Sequence, residues 1–253
     1  MPFAAPSQGL ARAFRALSGL AAAAVVCTLD GPLVAGDPDV QTPENPSQTP
    51  AVTYASLDAA ACQGELTRRG VAFQAVDTAR GVLAPLRLTG PIRGVTFRST
   101  LPEKVRATAA WEIVDCRLAL ALDDFAAILA ERDVKEVVHF SMYRPPPLRG
   151  WIDGMLGKRH TGALAIDAAR FVKSDGTTLD VETHFGGRIG QKTCGTSAAP
   201  QPKSTEGRVL REIVCEAADK HLFNVQLTPH YNRAHKNHLH LEVTPGVKWF
   251  LIR

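Results

Sequence analysis

The sequence predicts an α+β domain: a mostly antiparallel sheet with flanking helices. Three observations carry this. Short β-branched runs are separated by Gly and Pro rather than by regular crossover helices. An Asp175-Gly176 turn joins two such runs as a hairpin. Only two stretches show long apolar repeats at helical spacing, and they fall between groups of strands.

The elements follow in order. Arg12 and Arg15 precede the apolar run ALSGLAAAAVVC, residues 16–27. A positive region followed by such a run is the pattern of a signal peptide, so residues 1–35 are expected to direct export to the periplasm or exterior of a bacterial cell. The run is shorter than the roughly 20 residues a membrane helix needs, so no transmembrane span is expected in the mature protein. Val26 stands before Cys27 where lipid attachment wants a small residue, which disfavours a lipoprotein. Residues 36–55 hold four prolines and little that is apolar, and are expected to be an extended linker. One globular domain is expected over residues 56–253.

Within it, 71–76, 82–88 and 92–98 look like strands, with Pro85 expected to demote the second to an edge or a loop. Leu118, Leu122, Phe125 and Leu129 recur at helical spacing and predict an amphipathic helix. KEVVHFSMY (135–143) is β-branched and aromatic, and prolines 145–147 stop it. ALAIDAARFV (163–172) and TLDVETHF (178–185) are the two arms of the hairpin. Ser204 or Thr205 is a plausible N-cap for a second helix carrying Val209, Leu210, Ile213, Val214 and Ala217. NVQL and HLHLEV close the chain as strands.

The net charge is +4 and the basic residues are scattered. Phosphate binding wants a basic face, so nucleic acid is not an expected partner. Removing Cys27 with the leader leaves Cys62, Cys116, Cys194 and Cys215, an even number suited to an oxidising compartment. Three pairings are open; local closure favours Cys62–Cys116 and Cys194–Cys215, with buried free thiols as the alternative.

The chemistry concentrates in AHKNHLHLEV, residues 234–243, where three of eight histidines fall in ten positions. In a strand His238, His240 and Glu242 share one face, while Leu239, Leu241 and Val243 share the core face. The two imidazoles are then about 7 Å apart along the strand. A metal needs further ligands from elsewhere. RHTGALAID, residues 159–167, offers His160 in a loop and Asp167 inside an apolar alternation. A carboxylate there is costly without a partner, either a metal cation or an arginine such as Arg170.

His160-x6-Asp167 followed by His238-x-His240 resembles the H-x6-D and H-x-H elements of the LAS metallopeptidases, the group of lysostaphin, D-Ala-D-Ala metallopeptidases and hedgehog domains. The run YNRAHKNHLHLEV is similar to the signature of the extensin-like C-terminal domain of bacterial proteins. The chain departs from the LAS pattern at Lys158, usually Ser, and at Ala163, usually Gly. The resemblance implies a LAS-type fold with Zn2+ held by His160, Asp167 and His240. It implies catalytic roles for His238, for His235 and for Arg144 of SMYR, the last toward a substrate carboxylate or the scissile carbonyl. It implies a zinc peptidase of D,D-carboxypeptidase or murein endopeptidase type, with peptidoglycan peptides as partners. The alternative is a non-catalytic metal-containing module that binds cell-wall peptide.

Overall fold

The computed structural model describes residues 39–253, and the expected signal segment lies outside them. The chain enters as β1 (Val40–Gln41) and α1 (Pro50–Ala55). This is a departure from the linker expectation, because Ala51, Tyr54 and Ala55 are buried. Pro50 opens α1 at a position where the missing N–H costs nothing. α2 (Ala59–Arg68) is capped by Asp58, whose carboxylate accepts from the Ala61 amide.

β2 (Phe73–Ala75) and β3 (Pro85–Leu88) lead to β4 (Thr96–Ser99), the short α3 (Glu103–Arg106) and β5 (Ile113–Asp115). β2, β3 and β5 form a small antiparallel sheet with β3 at its centre, not at an edge. Pro85 is tolerated there because it is the first residue of the strand.

α4 (Cys116–Ala130) begins where Asp115 accepts from the Arg117 amide. The sequence predicts one apolar face for it, yet Ala119, Leu120, Ala121 and Ile128 are buried as well. A helix apolar on nearly all sides is a core helix, and α4 packs against α1, α2 and β6 (Val134–His139).

β7 (Ala165–Lys173) and β8 (Thr178–Asp180) form the expected hairpin. The returning strand stops at Asp180 instead of Phe185, because the Asp180 carboxylate accepts from Thr183 N–H and caps the turn α5 (Val181–His184). α6 (Thr205–Asp219) is capped by Ser204 and is followed by β9 (Val225–Leu227), β10 (Leu239–Glu242) and β11 (Phe250–Ile252).

The main sheet has the order β1-β11-β9-β10-β7-β6-β4, with β8 also on β7. It is mixed, which corrects the mostly antiparallel expectation: β4–β6 and β9–β11 are parallel. Both are long-range pairings made through intervening helices or loops, a direction local patterning does not encode. Both expected disulfides are present, Cys62–Cys116 tying α2 to α4 and Cys194–Cys215 tying the 186–203 loop to α6, with Cα–Cα distances of 6.0 and 5.5 Å. Among the described residues no helix is long and apolar enough to cross a membrane.

Candidate metal centre

The centre forms where β7 and β10 pair. Their register sets His240 directly opposite Asp167, and side chains opposite one another in a sheet are within reach. His160 arrives from a 3-10 turn over Arg159–Gly162. That turn is closed tightly against the preceding loop: a Cβ on Gly157 would lie 2.3 Å from the Thr161 carbonyl oxygen, and one on Gly162 would lie 2.4 Å from that of Gly157. Only glycine fits at either position, so the backbone carrying His160 is held firmly. Ala163 ends the turn at φ 53°, a left-handed conformation that glycine adopts at less steric cost.

The ring nitrogens converge on a single oxygen. Asp167 Oδ1 lies 3.0 Å from His160 Nε2, 3.0 Å from His240 Nδ1 and 3.4 Å from His238 Nε2. One ligand atom from each of His160, Asp167 and His240 lies within 4.8 Å of the others. The opposite ring nitrogens also face acceptors. His160 Nδ1 donates to the Met142 carbonyl at 3.1 Å, and His240 Nε2 faces Glu242 Oε2 at 3.1 Å. A neutral imidazole has one N–H and one lone pair. With the N–H of His160 committed to Met142 and that of His240 to Glu242, two bare nitrogens point at a carboxylate oxygen. That arrangement needs a cation, either extra protons on the imidazoles or a metal ion between them. Two nitrogens and a carboxylate oxygen, each oriented by a partner behind it, are the donor set of a three-ligand zinc site with an open position. The residues fit the metal.

The electrostatics agree. Burial opposes the charge of Asp167, but His160, His238 and His240, where they carry the extra protons and donate to it, outweigh burial and hold the carboxyl well below the usual range. Burial likewise works against protonation of His240, and the bonds to Asp167 and Glu242 overcome it, raising its pKa.

The other expected residues lie around this point. His238 Nδ1 donates to Asn237 Oδ1 at 2.9 Å, which turns its Nε2 inward, and its ring packs edge-on against Phe140 at 5.6 Å. His235 sits in a 3-10 turn capped by Asn232, with its ring 5.1 Å from that of His238 and 5.9 Å from that of His240. Burial first, and then the neighbouring His238 and His240, lower its pKa to about 4. Arg144 donates from Nε to Ser141 Oγ at 2.8 Å and from Nη2 to Asp167 Oδ2. The arginine partner weighed for Asp167 therefore exists, but it is Arg144, not Arg170. The guanidinium remains about half exposed beside the imidazoles.

Sequence reasoning placed Glu242 on the histidine face without giving it a task. It is buried, binds His240, accepts from Thr244 Oγ1 at 2.8 Å and lies 3.6 Å from Arg159 Nε. The signal was present in the His-x-Glu spacing of one strand face. His230 had no assigned role. It is buried, close to Thr193 Oγ1 and the Gly186 carbonyl and 3.4 Å from the buried Arg211, under the 186–203 loop. His184 lies on α5 and accepts from the Asp180 amide, outside this cluster.

No curated protein and no solved structure matches the chain significantly. The family described as Extensin-like protein C-terminus matches residues 60–250, which include β2 through β10 and every residue of the centre. The chain therefore belongs to the extensin-like C-terminal family.

Proposed function

We propose that this protein is an exported zinc-dependent peptidase that hydrolyses stem peptides or cross-links of peptidoglycan. One observation carries the reading: three imidazoles and an arginine surround one buried carboxylate whose donor–acceptor pattern calls for a cation. The order and spacing of His160, Asp167, His238 and His240, which resemble the LAS metallopeptidases, support the substrate class and a related fold. The expected leader at residues 1–35 supports export.

His160 Nε2, Asp167 Oδ1 and His240 Nδ1 would hold the metal, with Met142 and Glu242 fixing the two rings from behind. When bound, zinc supplies Lewis acidity toward a carbonyl and toward water. His238 is the general base. Its Nδ1–H is committed to Asn237, so the Nε2 lone pair is the one directed inward, where it takes and returns a proton. Arg144 is anchored by Ser141 and Asp167 and presents fixed positive charge to a substrate carboxylate or a developing oxyanion. His235, neutral at physiological pH, adds a second uncharged imidazole beside His238.

The test is metal analysis of the purified protein followed by digestion of purified muropeptides with and without chelator. Chelator-sensitive release of shorter peptides is the expected result. A zinc-loaded protein that binds muropeptides and cleaves none would make it a cell-wall binding module instead.

A further inference from the structure

Among the described residues, seven large apolar side chains are exposed, and four of them, Leu148, Ile152, Met155 and Leu156, fall in one nine-residue stretch. The remaining three, Val105, Trp111 and Ile189, are single residues elsewhere in the chain. Scattered exposed apolar residues are ordinary, whereas a cluster marks an interaction surface.

The loop is anchored at its base and open at its tip. Trp151 is half-buried, with its ring edge 3.0 Å from where a Cβ on Gly81 would sit, and the Gly157 amide donates to the Gly81 carbonyl at 2.7 Å. Between these anchors, Met155 N–H donates to the Ile152 carbonyl at 3.0 Å and closes a turn. A Cβ added at Gly150 or Gly154 would meet nothing within 4 Å, so the backbone here projects into open space. Arg149 and Lys158 flank the apolar tip, both exposed and neither with an ion-pair partner among the described residues. Asp153 is the single carboxylate between Arg144 and Arg159.

We propose that the 148–156 loop docks this domain onto the surface of an anionic phospholipid bilayer. The aliphatic tips enter the acyl boundary while Arg149 and Lys158 meet the headgroups, the division of labour of an interfacial anchor. A protein partner needs a matched face of about 800 Å² on each side. Four aliphatic side chains on one short projecting turn do not provide one, but a bilayer accepts them without a complementary cavity. The loop ends four residues before His160, so docking holds the metal centre near the headgroup plane.

The test uses the full chain and vesicles of phosphatidylcholine alone or mixed with phosphatidylglycerol. Co-sedimentation measures partitioning, and quenching of tryptophan emission by brominated lipid reports whether the loop itself enters. Partitioning should require the anionic lipid. Quenching should fall when Trp151→Phe removes the loop tryptophan. Ile152→Asp with Leu156→Asp should lower partitioning by about tenfold or more, and Arg149→Glu with Lys158→Glu by a similar factor at low salt. Each pair should leave metal content and the thermal transition unchanged, which separates a failure of docking from a failure of the metal centre. Partitioning that ignores these variants, quenching that survives Trp151→Phe, or equal binding to neutral vesicles overturns the proposal. So does a concentration-dependent dimer that Ile152→Asp dissolves, which would make the loop a contact between copies.

Discussion

His240 and Glu242 stand on one face of β10, and His240 Nε2 lies 3.1 Å from Glu242 Oε2. The carboxylate fixes which ring nitrogen carries the proton and leaves Nδ1 for Asp167 or a metal. Outer partners of this kind change metal affinity by about 10–100-fold when removed. Glu242→Gln should weaken zinc binding by that order in a competitive chelator titration. An unchanged affinity would reduce Glu242 to a buried partner of Thr244 and Arg159.

The neighbouring histidines should separate in their effects. His240→Ala and Asp167→Asn each remove a proposed ligand and should lose most bound zinc. His238→Ala should keep the metal and lose peptidase activity by roughly 100-fold or more, the scale of a missing general base. Parallel metal quantification and peptide cleavage on the three variants decide this. Metal lost from His238→Ala and retained by His240→Ala would reverse the assignment.

His230 predicts a pH dependence away from the centre. Burial first, and then the Arg211 charge, lower its pKa from the ordinary 6.5 to about 4. Between those values the unfolded chain binds more protons than the folded one. Its contribution to stability is therefore complete above about pH 6.5 and is lost as pH falls toward 4. The loss is at most about 3.5 kcal/mol, from about 1.4 kcal/mol per pKa unit. Chemical denaturation at several pH values should show a shallower slope for His230→Gln over this window. Identical slopes would remove His230 as the cause.

Gly187 presses on the same imidazole. Its φ is +81°, and a Cβ there would lie 1.9 Å from His230 Nε2. Gly187→Ala combines backbone strain with displacement of a buried ring and should destabilise by roughly 2 kcal/mol. A melting temperature equal to that of the parent would show that the loop moves aside freely.

The Cys194–Cys215 bridge closes a loop with a sequence separation of 21. Replacing both cysteines by serine should cost about 3 kcal/mol by loop-closure entropy, read as a lower denaturant midpoint. Little change would mean that Arg211, which donates to the Thr193 carbonyl at 3.2 Å, already holds the loop.

The sequence by itself determined what depends on short-range periodicity. Strand alternation put His238, His240 and Glu242 on one face and Leu239, Leu241 and Val243 on the other, and those three apolar side chains are buried. Helical spacing located α4 and α6, and Ser204 marked the start of α6. Cysteine parity and local closure pointed to the two disulfides present. Only the tertiary structure decided what depends on partners far along the chain. The β7–β10 register that sets His240 against Asp167 spans 73 residues, and the Arg144–Asp167 pair spans 23. The parallel β4–β6 and β9–β11 pairings, the burial of α1 and the Arg211–His230 cluster are of the same kind. Periodicity states which face of an element seeks burial. Which other element covers that face, and in which direction it runs, is chosen by packing among distant segments, and that choice turns spaced histidines and an aspartate into one cluster.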